Sequence, residues 1–174
     1  MRTRSLAVGL LFLGLLAVSC SGPTEKKMKF FRNGQALHEK KDYVKASLEF
    51  KKALQIDPKF ADGYYMLGMT QLMRGDLIHA YGSFNEAVEL EPDNLQAQIQ
   101  LGKILVAAGK RDEAMEKAEL VLKKEPGNEE AQLIKGMIFL AKGEGPGAVD
   151  EFRTIVSEKP HFVPGYILLA QAHL

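Results

Sequence analysis

The side chains that most often carry out chemistry in proteins are few in this chain and lie far apart. The four histidines are His38, His79, His161 and His173, and Cys20 is the only cysteine among 174 residues. No two histidines form the H-x-x-x-H pair that binds zinc from one helix face, and no glycine-rich loop offers backbone N–H groups to a phosphate. No serine lies in a nucleophile-elbow pattern. We therefore expect no enzyme activity, no cofactor, no metal site and no small-molecule substrate.

Charge and composition also argue against a nucleic-acid partner. The chain carries 23 Lys and Arg against 22 Asp and Glu, which is a formal net charge of +1. No basic stripe with interleaved aromatic residues runs along it, and nucleic-acid binding needs such a stripe. With 46% hydrophobic and 26% charged residues, the composition is that of an ordinary globular protein. Recognition of another protein is the function class that remains.

Residues of fixed type recur every 34 positions, which predicts an array of structural repeats. The recurring residues are Pro58, Pro92, Pro126 and Pro160; Gly34, Gly68, Gly102 and Gly136; Ala46, Ala80, Ala114 and Ala148; and Phe50, Phe84, Ala118 and Phe152. Four matches in one register over most of a chain do not arise by chance. Within each repeat the glycine is the eighth residue and the aromatic residue, or Ala118, is the twenty-fourth.

Each repeat reads as a helix, a tight turn and a second helix. Glycine inside the first helix lets another helix approach closely, which offsets its helix-interior cost of about 1 kcal/mol relative to alanine. Gly75, Gly109 and Gly143 mark turns, because glycine adopts the left-handed conformation at a helix C-terminus, and Lys40-Lys41-Asp42 takes that place in the first repeat. The proline ends the second helix, since it lacks an N–H and disfavours a helical residue before it.

This pattern resembles the tetratricopeptide repeat family. The resemblance implies an all-α fold, a right-handed superhelical solenoid of antiparallel helix pairs. We place complete repeats at 27–60, 61–94, 95–128 and 129–162 and a partial fifth repeat at 163–174. The segment from Tyr166 to Ala170 is too apolar to face water, so we expect further repeats or a partner to cover that end.

In the tetratricopeptide family, positions 2, 5, 9, 12 and 13 of each first helix face a ligand in a concave groove. The resemblance implies that a protein or peptide binds there. The groove residues that we assign are Phe31, Tyr65, Met69, Leu72, Met73, Ile99, Lys103, Leu133 and Met137. The Lys and Asn clamp with which chaperone-tail receptors grip a terminal carboxylate is missing, and the fifth position carries an apolar row, so we expect an apolar helix or extended segment as the ligand. The alternative is that the row and the methionines pack between helices.

The N-terminal residues predict export and a lipid anchor. Arg2 and Arg4 precede an apolar run of 13 residues that is too short to span a bilayer, and residues 1–19 read as a secretory signal peptide. The small residues before Cys20 resemble the bacterial lipoprotein cleavage box, which implies that Cys20 carries a lipid that attaches the protein to a membrane. Ala17 stands where leucine is usual, so cleavage without lipid is the alternative.

Lipidation would also account for a solitary cysteine, because a free thiol is reactive in an oxidising compartment. Residues 20–26 then form the linker to the array. Ser21 stands where an aspartate would retain an enteric lipoprotein in the inner membrane. The resemblance therefore implies an outer-membrane lipoprotein that faces the periplasm, with the inner membrane as the alternative.

The charges are distributed unevenly along the chain. Residues 26–52 carry nine Lys and Arg against three Asp and Glu, a net charge of +6, and residues 53–174 carry 12 against 18, a net charge of −6. The basic segment, which includes Lys26, Lys27, Lys29 and Arg32, would rest on anionic headgroups or form a solvated helix face.

Together these features indicate a non-enzymatic scaffold of the bacterial cell envelope. The cleavage box followed closely by repeats is similar to the long repeat lipoprotein of exosortase systems, which implies a role in exopolysaccharide export or in the sorting of PEP-CTERM proteins. One alternative is a pilotin-like lipoprotein that escorts the secretin of type IV pili. Another is a regulator that docks peptidoglycan enzymes. Neighbouring exosortase and glycosyltransferase genes would favour the first function, and pilus genes the second.

The prediction of an anchor can be tested at the cysteine. We expect Cys20→Ala to leave an unprocessed or soluble protein in place of a membrane-bound one, because the lipid would be attached through this thiol. Cell fractionation and mass spectrometry of the mature N-terminus measure both effects. An unmodified mature N-terminus at another residue would contradict the lipoprotein assignment.

Overall fold

A computed structural model describes residues 22–173 of the chain. This part contains nine α-helices and no strand. The helices are α1 (Pro23–Glu39), α2 (Tyr43–Ile56), α3 (Ala61–Met73), α4 (Leu77–Leu90), α5 (Leu95–Ala107), α6 (Arg111–Lys124), α7 (Glu129–Lys142), α8 (Gly145–Glu158) and α9 (Val163–Ala172). Each helix packs on the next in chain order, and four pairs are followed by α9 as the first helix of a fifth. The predicted all-α solenoid of helix pairs is confirmed.

Helix α1 begins earlier than the sequence pattern indicates. The first repeat was expected to start at Lys27 after a linker over 20–26, but α1 already begins at Pro23. Proline suits the first position of a helix because its φ is preset and its missing N–H would have no partner there. The N–H of Lys26 donates to the carbonyl of Gly22 at 3.1 Å, which closes the first turn. The linker prediction is therefore corrected from Pro23 onward; the signal peptide and Cys20 lie outside the described residues.

A left-handed residue follows the first helix of every complete pair, as the turn signals predict. Gly75, Gly109 and Gly143 have φ of 75°, 73° and 77°, and Lys41 has φ of 61° in the first repeat. In the second repeat the N–H of Gly75 donates to the carbonyl of Leu72 at 2.9 Å, so the turn satisfies a carbonyl at the helix end. The next helix then starts at once, which makes the two helices antiparallel.

Side chains fix the two links that contain Pro92 and Pro126. The side chain of Asn94 accepts a hydrogen bond of 3.0 Å from the N–H of Ala97 and so caps α5. Gln98 Nε2 donates to the carbonyl of Pro92 at 3.2 Å. Asn128 and Gln132 repeat both contacts in the fourth repeat. The orientation of one helix pair relative to the next is held by these bonds.

The tightest contact inside a pair joins the glycine of the first helix to the aromatic ring of the second. The rings of Phe50, Phe84 and Phe152 are completely buried. A Cβ atom added to Gly68 would lie 2.8 Å from Phe84 Cε1, and one added to Gly34 would lie 2.6 Å from Phe50 Cε1. The rings therefore lie directly against the helix backbone. The glycines therefore permit the close approach that the sequence predicts, and the group that approaches the glycine backbone is an aromatic ring.

In the third repeat the glycine packs against a residue of a different kind. Ala118 replaces the aromatic residue, and a side chain from the following repeat fills the space. A Cβ atom on Gly102 would lie 2.9 Å from Ile134 Cδ1 of α7. Ile134 is completely buried, and α5 contacts α7 directly. The smaller residue thus ties the third repeat to the fourth.

We expect the glycine–ring contact to decide the effect of Gly68→Ala. The added methyl group has to displace the buried Phe84 ring, so the free energy of unfolding should fall by about 1–3 kcal/mol. Gly82→Ala is the matched control within α4, because no atom lies within 4 Å of the added Cβ and alanine should stabilise the helix by about 0.5–1 kcal/mol. Urea denaturation measures both. Equal effects of the two substitutions would contradict this packing.

Candidate protein-binding groove

Helix periodicity separates the predicted groove residues into two stripes on each first helix. Positions 2, 9 and 13 are seven and four residues apart, so they lie above one another on a helix. The fifth-position row is the second stripe. It lies three residues before the glycine, so its side chains point towards the partner helix. The first stripe faces away from the helix pair and contains the most accessible assigned residues.

Two residues of the fifth-position row belong to the core. Ile99 is 0% exposed and packs in a cluster with Leu105 and Ile134. Phe31 is 8% exposed, and its ring lies 4.9 Å from the ring of Phe60. The assignment of Ile99 and Phe31 to the groove surface is therefore wrong. The physical reason is their position on the glycine side of the first helix, where burial removes an apolar side chain from water.

The other two residues of the row lie at the edge of the core. Tyr65 is half-buried, and its ring lies 5.9 Å from the ring of Phe84. Leu133 is half-buried against the cluster of Phe152. Each side chain therefore has one part in the core and another part open to a ligand.

The exposure of the methionine side chains increases along α3. Met66 packs on the core of the first repeat, Met69 is half-buried on that of the second, and Met73 is 50% exposed. Leu72 and Met137 are also half-buried. A stripe of this kind combines fixed packing with a flexible thioether at its end, which can adapt to different apolar partners.

An ion pair links two repeats beside these apolar side chains. Lys103 Nζ lies 2.6 Å from Glu130 Oε1, so position 9 of the third repeat contacts position 2 of the fourth. Burial raises the pKa of the Tyr65 phenol, and the negative charge of Glu130 raises it further. Tyr65, Lys103 and Glu130 thus come from three repeats and share one electrostatic environment. Sequence analysis assigned Lys103 to the groove but not its partner Glu130. The signal that could have predicted this ion pair is the presence of opposite charges 27 residues apart.

A hydrogen bond missed by sequence analysis joins the first two repeats. Thr70 Oγ1 donates to the carbonyl of Met66 at 2.7 Å. The hydroxyl therefore accepts the 2.9 Å hydrogen bond from His38 Nδ1. When the ring is neutral, its proton lies on Nδ1 and Nε2 is an acceptor. His38 is half-buried and so contributes to packing as well as to this bond.

A second apolar depression lies between the start of α4 and the end of α5. It has a volume of about 320 Å³ and is lined by residues that include Leu77, Ile78, Tyr81 and Ile104. Ile78 is 85% exposed. Sequence analysis did not identify this site, although Leu77-Ile78 stands where the third repeat has the charged pair Arg111-Asp112.

Two structural features are absent from residues 22–173. No three His, Cys, Asp or Glu side chains of this part are grouped to hold a metal ion. None of its helices is both long and apolar enough to cross a bilayer.

The two stripes predict different effects of truncation on stability. Ile99→Ala should lower the free energy of unfolding by about 2–5 kcal/mol, because it leaves a cavity in the core. Met73→Ala should change it by less than about 0.5 kcal/mol, because the side chain is half exposed to water. Thermal or urea unfolding of the purified chain distinguishes the two residues. Similar losses for both would show that the stripes are assigned incorrectly.

Four solved structures show how widely this fold is shared. The chain is similar to a MamA protein (TM-score 0.78, 22% identity, covering 86% of this chain and 82% of that one). It is also similar to YrrB, described as a tetratricopeptide repeat protein with an unusual peptide-binding site (TM-score 0.73, 24% identity, 84% and 74% covered). The first repeat domain of Spaghetti (RPAP3), solved with an HSP90 peptide, matches with a TM-score of 0.65 and 24% identity over 68% and 94% of the chains. PilF of Pseudomonas aeruginosa matches with a TM-score of 0.74 and 17% identity over 87% and 69%.

Family models match most of the repeat region. A model described as TPR repeat matches residues 34–75, and one described as tetratricopeptide repeat matches residues 71–138. Among curated proteins, none matches this chain. The two models together cover residues 34–138, more than half of the chain, from within α1 to within α7. The chain therefore belongs to the tetratricopeptide repeat family.

Proposed function

We propose that this chain is an exported, lipid-anchored scaffold that binds an apolar helix or extended segment of another envelope protein in its concave groove. The observation that carries the proposal is the set of Tyr65, Met69 and Met73, spaced four residues apart on α3 and most exposed at Met73, with the Lys103–Glu130 ion pair near Tyr65. An apolar surface flanked by a few fixed polar groups is typical of a site that binds and orients a peptide.

Relatives of the same fold support a peptide as the ligand. YrrB is described as having a peptide-binding site, and the Spaghetti domain was solved with a peptide. Members of this family typically act as scaffolds for protein interactions and not as enzymes. A stack of helix pairs suits this role, because it presents one continuous surface across several repeats.

The charges of the groove favour an apolar segment over a terminal carboxylate. Lys103 is the one cation among the residues that we assign to the groove, and its ammonium group already pairs with Glu130. Binding a carboxylate there would require breaking that pair. Asp62 and Glu39 are exposed on the same first helices, and their negative charges disfavour an acidic peptide.

The cellular role follows from the predicted anchor. A lipid on Cys20 would hold the array at the periplasmic face of the outer membrane, where a scaffold could bring together components for exopolysaccharide export or PEP-CTERM protein sorting. Export and lipid attachment rest on the sequence pattern of residues 1–20. The role as a scaffold rests on the repeat array.

Partner capture tests the groove directly. We expect Tyr65→Ala combined with Met73→Ala to weaken capture from detergent-solubilised envelope extract, since burial of each large side chain contributes about 1.5–3 kcal/mol. Val44→Ala combined with Ile78→Ala is the matched control, because it removes exposed apolar side chains from second helices outside the groove.

Cross-linking and mass spectrometry should identify the captured protein as a component of polysaccharide export or of PEP-CTERM sorting. Circular dichroism verifies that all variants remain helical. Unchanged capture by the groove variant would refute the binding site. Capture of a pilus secretin or a peptidoglycan hydrolase would retain the scaffold and replace the proposed pathway.

A further inference from the structure

The first helix pair carries a basic end face that the groove does not use. We define the basic end face by Lys26, Lys29 and Arg32 of α1 and by Lys45, Leu48 and Lys52 of α2. The three α1 residues line one shallow depression together with Glu25, so three cations and one carboxylate meet there. On α2 the residues are three and four positions apart, so they form one stripe along the helix.

Contacts between α1 and α2 bring the two sets of residues together. Lys52 Nζ lies 5.5 Å from the centre of the Phe30 ring, and Asn33 Nδ2 donates to Glu49 at 3.4 Å. These contacts join the α1 surface that carries Lys26 and Lys29 to the α2 stripe. The basic side chains of the two helices therefore form one surface.

The charge of this face is only partly neutralised by its surroundings. On α2, Lys45 pairs with Asp42 at 2.8 Å and Lys52 pairs with Glu49 at 2.5 Å, whereas the α1 cations of the face have no such partner in the described part of the chain. No carboxylate among residues 22–173 lies within 4.0 Å of the charged groups of Lys26, Lys29 or Arg32. Elsewhere in the first pair, Lys27 is held by Asp57 at 2.7 Å. The three α1 cations are thus available to an external anion.

Exposed apolar side chains accompany the cations. Leu48 is 55% exposed and lies between Lys45 and Lys52 on α2, and Val44 is 60% exposed one turn before it. Apolar side chains among lysines are characteristic of helices that lie in a bilayer interface, where the cations contact headgroups and the apolar groups enter the acyl boundary. At the equivalent positions of the third repeat, Asp112 and Glu116 replace Val44 and Leu48.

We infer that the basic end face docks on an anionic lipid surface and orients the array with its acidic repeats away from the bilayer. One part of the argument rests on the proposed lipid anchor. Cys20 lies three residues before Pro23, so an extended chain would hold the start of α1 within about 11 Å of the lipid. That is close to the Debye length of about 8 Å at physiological salt, so headgroup charges act on Lys26 and Lys29.

Lipid contact can be measured with a single introduced tryptophan, because the chain has none. The full chain with Leu48→Trp is mixed with vesicles that contain phosphatidylglycerol or with vesicles of phosphatidylcholine alone. Tryptophan emission should shift to the blue with the anionic vesicles only, and added salt should reverse the shift. Ile167→Trp in α9 is the matched reporter, because Ile167 and Leu48 are both 55% exposed, and its emission should not change.

Charge reversal tests the cations in the Leu48→Trp background. Lys26→Glu, Lys29→Glu and Arg32→Glu together should lower the partition coefficient on anionic vesicles by about 100-fold, since each cation near the surface contributes roughly a factor of five. The control variant changes the net charge by the same amount at exposed sites of the acidic repeats, with Arg111→Glu, Lys123→Glu and Lys159→Glu. Its partition coefficient on anionic vesicles should not change.

Several outcomes would overturn the docking surface. The first is an equal blue shift of the Leu48→Trp emission on neutral vesicles. The second is an equal blue shift of the Ile167→Trp emission on anionic vesicles. The third is an unshifted Leu48→Trp emission while the chain cosediments with the vesicles. A shift without vesicles that grows with protein concentration would assign the face to a second copy of the chain. Val44→Trp provides a second reporter if Leu48→Trp loses helicity. Mass spectrometry of Cys20 decides the anchor separately, so failure of the anchor and failure of the face are distinguishable.

Discussion

The contact between glycine at the eighth position and a phenyl ring at the twenty-fourth sets the distance between the two helices in three of the four complete pairs. At Gly34 and Gly68 any side chain would overlap the ring that lies on the backbone. Because a buried ring has no space to move into, the helices can approach only in this arrangement. In the third pair, where Ala118 replaces the ring, Ile134 of the next repeat packs on the glycine instead.

The same contact divides the first helices into a core side and a more exposed side. Residues three positions before the glycine lie on the core side of the first helix, and for this reason Ile99 and Phe31 are buried. On the remaining side Met69 is half-buried and Met73 is 50% exposed. Fewer of the assigned residues are therefore exposed than the family pattern implies. Its character comes from the methionines and from the Lys103–Glu130 ion pair.

The repeats are alike in backbone and different in surface chemistry. The second helix of the first repeat exposes Val44 and Leu48, and the third repeat has Asp112 and Glu116 at the same places. Since these positions face away from the core, they are free to differ without altering the packing. One array can thus carry a basic and apolar end suited to a lipid surface and an acidic remainder that such a surface repels.

Most of the fold could be predicted from the sequence, because the signals are local. A proline removes one hydrogen-bond donor, a glycine permits φ near 75°, and an asparagine caps the helix that follows it; each effect acts within a few residues. These signals determined the helix pairs, the turns and the register. The early start of α1 was missed because Pro23 acts as the first residue of a helix there.

The division between core and groove depended on tertiary structure. Ile99 and Tyr65 occupy the same position in their repeats, but Ile99 is completely buried in a cluster with Ile134 of the next repeat, whereas Tyr65 packs on Phe84 and stays half-exposed. The pairing of Lys103 with Glu130 likewise requires two repeats to be stacked. The sequence by itself therefore determined the helices and their register, and only the tertiary structure decided burial and charge pairing, because these depend on the volumes and charges of side chains from other helices.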